Sequence, residues 1–215
     1  MTENAASSQL DRQVFGGGFW LWWALLTTLG FLLSFVGAFV VGMGIGGFCL
    51  LRGTLGLGAA SFFGLAIGGL LVGAVMGVVQ WLLLRRHFPG AGKWIWSTAV
   101  GSGLAFALAI AIAGAAGQSW FLGGLIGGAV GGVVAGLIQQ TFLREYLSET
   151  GLWVGASAVA WAVALIIMGI AMGAVVGRPP GSPGLVLVML LAIIAVLIKS
   201  AITGVALMRS VQQSA

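Results

Sequence analysis

The chain alternates long apolar runs with short polar breaks. Six runs have the length and apolarity of transmembrane helices: Phe19–Val41, Phe62–Leu84, Trp94–Ala116, Phe121–Leu143, Leu152–Val176 and Leu185–Leu207. About 20 apolar residues in a helix cover a hydrocarbon layer roughly 30 Å thick. The breaks are HFPGAGK at 87–93, GQS at 117–119, LSETG at 147–151 and GRPPGSPG at 177–184. Glycine, proline and small polar residues supply turn geometry at such points. The pattern therefore predicts an all-α polytopic membrane protein. Residues 1–18 read as a flexible cytoplasmic tail, 19–208 as the six-helix transmembrane domain, and 209–215 as a cytoplasmic C-terminal tail. The connection Gly42–Ser61 is itself apolar, and reads as a re-entrant piece, an interfacial piece or a plain loop.

The same pattern repeats internally. Segment Phe62–Ala115 recurs without gaps, 59 residues later, as Phe121–Ala174, with 18 of 54 positions identical. Chance agreement in a chain so rich in small apolar residues is roughly one position in ten. The matches include rarer types: Phe62/Phe121, Gln80/Gln139, Arg85/Arg144 and Trp94/Trp153. A weaker third copy forms if the last and first spans are joined across the termini. GVALMRS around Arg209 then aligns with QWLLLRR around Arg85, placing Gly204 opposite the glutamines, and WALLTTLG from Trp23 aligns with WIWSTAVG from Trp94. Three hairpins around a pseudo-threefold axis would bring spans one and six together.

Charge sets an expected orientation. Arg12, Arg85, Arg86, Lys93, Arg144 and Arg209 fall on one side of the predicted membrane, and only Arg52 and Arg178 on the other. Cytoplasmic loops carry the excess of Lys and Arg, so both termini are expected in the cytoplasm. Trp20, Trp22, Trp23, Trp94, Trp96 and Trp153 fall at the same inner ends, where indoles favour the headgroup layer. Trp161 lies deep in its span instead. The formal charge of +5 thus reads as a topology and lipid-headgroup signal, and nucleic acid is not an expected partner. With 6% charged and 60% hydrophobic residues, the composition excludes an ordinary soluble domain. The N-terminal tail lacks the basic, apolar and small-residue regions of a secretory signal, so the first span is expected to be retained.

Lipid tails are as apolar as leucine, so helix association must draw on close backbone approach and polar contacts. Gly69, Gly73 and Gly77, and again Gly128, Gly132 and Gly136, form rows at four-residue spacing suited to helix packing. Gln80 and Gln139 follow two turns after Gly73 and Gly132, near the same face. Each amide reads either as a hydrogen-bonding clamp between helices or as a ligand contact, for instance to the magnesium of a chlorophyll or to another pigment. Lys199 is the one charge inside a span, a functional-site hypothesis by default. It reads either as a snorkelling lysine about 10–12 Å from the inner surface, or as an anion or partner contact. Arg85, Arg144 and Arg209 read as helix-end cations anchoring the inner face to lipid phosphate.

Catalytic constellations are not legible. His87 has no second ligand nearby, and Cys49, the single cysteine, reads as an apolar filler, so no metal site is expected. No GK[ST] follows the glycine runs, GxSxG is missing, and all four acids (Glu3, Asp11, Glu145 and Glu149) lie outside the spans. The chain is expected not to be an enzyme.

The pattern GxxxGxxQWxxLRR, followed by a short loop and GKWIW, is fullest at Gly73–Trp96. It resembles a group of multi-pass membrane proteins of cyanobacteria and related bacteria that carry repeated hairpins of this kind. The second copy departs from it at Gln140 and Glu145. The resemblance implies an integral membrane protein and carries over no catalytic residue. The expected role is a structural or accessory subunit of a larger complex in a bacterial inner or thylakoid membrane. Its partners would be membrane lipids and other integral subunits, with bound lipid or a pigment as associated groups, and photosynthesis as one setting. The alternative is a carrier or channel for a small neutral or anionic solute, lined by Gln80, Gln139, Lys199 and Thr203.

Overall fold

The computed structural model describes residues 17–53, 57–88, 90–117, 119–148, 150–175 and 184–214. Most of the N-terminal tail, with Arg12, and residues 176–183, with Arg178, lie outside the described residues, as does the side chain of Cys49. Six α-helices are present among those described: α1 (Gly17–Leu51), α2 (Leu57–Leu84), α3 (Lys93–Ala115), α4 (Trp120–Leu143), α5 (Gly151–Val175) and α6 (Gly184–Ser214). Helices are expected because lipid offers no partner to backbone N–H and C=O groups, which must be satisfied within the segment. Five helices contain stretches long and apolar enough to cross a membrane: Phe62–Leu84, Lys93–Ala115, Trp120–Leu143, Gly151–Ala174 and Val186–Gln213. Among the residues of α1 whose side chains are described, Gly18–Ser34 is apolar throughout most of its length. Large hydrophobic side chains such as Leu33, Trp96, Val159 and Leu190 face outward, as in helices surrounded by lipid.

Two boundaries differ from the sequence reading. The connection Gly42–Ser61 is not a loop: α1 continues to Leu51, and α2 begins at Leu57. Glycine within a helix is tolerated in an apolar surrounding, so the glycines at 42–47 do not end it. The helix stops where Gly53 adopts φ 64°, a conformation that suits a residue lacking Cβ. At the other terminus the expected tail 209–215 is helical to Ser214. Arg209 therefore lies within the last helix and does not close it.

Each helix packs on its chain neighbours, and α1 also packs on α6, so the six form a closed ring. Contact between α1 and α6 is the least extensive of the six neighbouring pairs. The glycine rows explain how consecutive helices approach. A Cβ at Gly73 would lie 2.5 Å from the Thr98 carbonyl oxygen, and one at Gly77 2.8 Å from Ile95 Cα, so this row faces α3. Gly69 in the same row meets Ser102 and Phe106. On α4, a Cβ at Gly128 would lie 2.6 Å from the Trp161 oxygen and one at Gly132 2.5 Å from the Ser157 oxygen, with Gly136 against Val154. This row faces α5. A second row on α4, Gly123, Gly127 and Gly131, faces Ala105, Ala109 and Ala113 of α3. The doublets in GGLIGGAVGG are thus two adjacent rows serving two neighbours.

Apolar and aromatic side chains fill the end where α1, α3 and α5 begin. Phe19, Trp23, Leu84, Trp94, Phe142 and Trp153 belong to one buried cluster there. The α2–α3 turn folds beneath it, with Phe88 edge-on to Phe142 at 6.1 Å and to Tyr146 at 5.4 Å.

Candidate functional site

The polar side chains singled out by sequence converge on this aromatic end. Gln80, on α2, accepts the Trp94 indole N–H at its Oε1 (2.8 Å) and donates from Nε2 to Thr27 Oγ1 (3.4 Å). It therefore ties α2 to α3 on one side and to α1 on the other. Gln139, on α4, repeats the arrangement: its Oε1 accepts from Trp153 Nε1 (3.1 Å), and its Nε2 donates to Thr98 Oγ1 (3.0 Å). Both amides are buried, at 4% and 6% exposure, so these partners decide whether their burial is tolerable. An unsatisfied buried amide costs on the order of a few kcal/mol, whereas a made interhelix bond stabilises by roughly 0.6–2 kcal/mol.

The third position is displaced from the sequence alignment. Gly204 does not stand in for a glutamine. Thr203, one residue earlier, accepts the Trp23 indole N–H at 3.3 Å and donates to the Lys199 carbonyl at 3.0 Å. Gly204 is instead a seat for two indoles, since a Cβ there would lie 2.9 Å from Trp20 Cδ1 and 3.1 Å from Trp23 Cδ1. Leu207 rather than Met208 matches the wholly buried Leu84 and Leu143. Alignment on the arginines alone misses this one-residue slip.

The donors were the unforeseen part. Trp23, Trp94 and Trp153 are each 1% exposed, so they do not sit in a headgroup layer as expected. Trp94 packs against both others, with ring centroids 6.0 Å from Trp23 and 5.3 Å from Trp153. Only Trp22 and Trp96 of the predicted belt are largely exposed. The signal for the donors was present as Trp followed four residues later by a hydroxyl: Trp23/Thr27, Trp94/Thr98 and Trp153/Ser157. One helical turn stacks the indole beneath the hydroxyl, so the glutamine of the neighbouring helix reaches one or the other.

Lys199 lies elsewhere. It does not snorkel: its side chain is 5% exposed, and Nζ stands 4.3 Å above the Trp161 ring of α5. Because α6 is longer than expected, Lys199 stands near the middle of the helix Gly184–Ser214, although the apolar run itself ends near Leu207. A cation over an indole face is attracted by the ring quadrupole. Arg85, Arg144 and Arg209 are all exposed. Arg85 lies over the Trp81 ring at 5.0 Å, and the Arg144 backbone N–H donates to the Gln140 carbonyl at 3.0 Å. Gln140, the departure from the repeated motif, is buried and donates to the Thr150 carbonyl at 3.1 Å. Lys93 and Glu145 form an exposed ion pair at 3.3 Å, linking the first residue of α3 to the α4–α5 turn.

The network can hold helices in register, because every bond named above between side chains of different helices crosses an interface. Each glutamine oxygen already accepts one indole N–H. Among the described residues no cluster of three or more His, Cys, Asp or Glu side chains could hold a metal ion. Set against family models, curated proteins and solved structures, the chain matches none.

Proposed function

We propose that this chain is a non-enzymatic integral membrane protein acting as a structural or accessory subunit of a larger membrane complex. The observation that carries the proposal is the use made of Gln80 and Gln139. These two deeply placed amides are spent on clamping helices together, with Trp94, Trp153, Thr27 and Thr98 as partners. The architecture we propose is three pseudo-repeated hairpins, α2–α3, α4–α5 and α6–α1, around a threefold axis. Equivalent indole bonds in all three hairpins, and equivalent glycine rows in the first two, support that grouping. The distribution of Lys and Arg supports cytoplasmic termini in a bacterial inner or thylakoid membrane. The outward leucines, valines and aromatics would contact lipid and neighbouring subunits. Purification in mild detergent followed by mass spectrometry tests the role: stoichiometric companion subunits are expected. A chain that purifies alone from every mild detergent overturns it. An absorbance spectrum of the same material decides whether a pigment accompanies the chain.

One observation favours a second reading, a carrier or channel for a small anionic solute: the buried Lys199 near the middle of its helix. Flux into proteoliposomes that falls in Lys199→Ala and Gln139→Leu would support it. Flux unaffected by both would remove it.

A further inference from the structure

The hydrogen bonds of the network stitch most of the ring. Thr27–Gln80 joins α1 to α2, Gln80–Trp94 joins α2 to α3, Thr98–Gln139 joins α3 to α4, Gln139–Trp153 joins α4 to α5, and Trp23–Thr203 joins α1 to α6. Between α5 and α6 no side-chain hydrogen bond of this kind is found among the described residues. The polar contact there is Lys199 over Trp161. This is also where the charge balance of the spans fails. All four acids of the chain lie outside the apolar stretches, so no carboxylate in a span faces Lys199. An ammonium group carries three N–H donors, and the indole face answers its charge without accepting those bonds in the ordinary way. Desolvating a buried, uncompensated cation costs more than a cation–π contact returns.

We propose that Lys199 is the binding point of a small monovalent inorganic anion, held between α5 and α6 beside Trp161. The chemistry follows from the surroundings. One ammonium neutralises one negative charge, so a divalent anion would remain uncompensated in an apolar interior. Trp161 belongs to an apolar cluster with Ala105 and Leu165, and Val196 and Ala192 on the Lys199 helix belong to another with Phe31 and Met76. Such a site favours anions that surrender water easily, in the order iodide, bromide, chloride. A second copy of the chain or a partner helix is a poorer source of the countercharge, because the lysine is enclosed within its own bundle. Binding is independent of transport: the anion completes a static subunit as well as it loads a carrier.

The test uses the full-length protein in an uncharged detergent and its own tryptophan emission. Iodide and bromide are titrated at constant ionic strength against sulfate. The exposed Trp22 and Trp96 are quenched by collision, in proportion to concentration, whereas an anion seated beside Trp161 quenches it in a saturable phase. We expect wild type to show that phase and chloride to displace it, with iodide the tightest ligand. Lys199→Met and Trp161→Phe should each lose it while keeping the proportional component. A wild-type titration without a saturable phase, which depends on no variant folding, overturns the proposal. So does a saturable phase that survives in Lys199→Met.

Discussion

The α4–α5 interface and the surroundings of α6 solve the same packing problem differently. On α4 a row of glycines brings the backbone against Ser157, Ala158, Trp161 and Ala162 of α5, and Gln139 is paired at both its oxygen and its nitrogen. In the register set by Leu84, Leu143 and Leu207, α6 carries Val196 where α2 and α4 have Gly73 and Gly132, and Ser200 where they have Gly77 and Gly136. Lys199 takes the place of Met76 and Ala135. The Ser200 hydroxyl is buried with no hydrogen-bond partner, and the glutamine is reduced to Thr203 with a single interhelix bond. Where side chains are missing, backbones touch and amides find partners. Where bulk returns, polar groups are left over.

The sharpest way to break this contrast is to add bulk to the glycine row. Gly132→Leu should destabilise by roughly 3 kcal/mol or more, since overpacking against backbone has little room to relax. The Ser157 oxygen that its Cβ would meet at 2.5 Å belongs to the main chain. Gly155→Ala, where nothing lies within 4 Å of an added Cβ, should be nearly neutral in the same unfolding titration in mixed micelles. Equal effects would undo the argument from the row.

Next in size is Gln139→Leu. It removes two interhelix bonds and strands the Trp153 N–H, while the Thr98 hydroxyl keeps its bond to the Trp94 carbonyl, for an expected loss of about 1–3 kcal/mol. Thr203→Val should cost less, about 0.5–1 kcal/mol, because only one interhelix bond, of 3.3 Å, is lost beside the local bonds of the hydroxyl to its own helix. A Thr203 variant as damaging as the Gln139 one would show that the third position is not the weak one. Smallest is Glu145→Gln at the exposed pair with Lys93: at most about 0.5 kcal/mol, diminishing further in high salt.

Much of the architecture was written in one dimension. A run of about 20 apolar residues admits only a helix in lipid, and four-residue glycine spacing can only produce a row along one face. Gln80 and Gln139 were legible as interface residues for the same reason. Their partners were not, since which helix stands next to a given face depends on ring order. The extents of α1 and α6 also escaped the sequence, because hydropathy reports where a chain tolerates lipid and not where its helical hydrogen bonding ends. The inward turn of Lys199, the burial of Trp23, Trp94 and Trp153, and the slip from Gly204 to Thr203 belong to tertiary structure alone. Each depends on which neighbour lies within reach of a side chain, a distance that no spacing along a single strand of sequence contains.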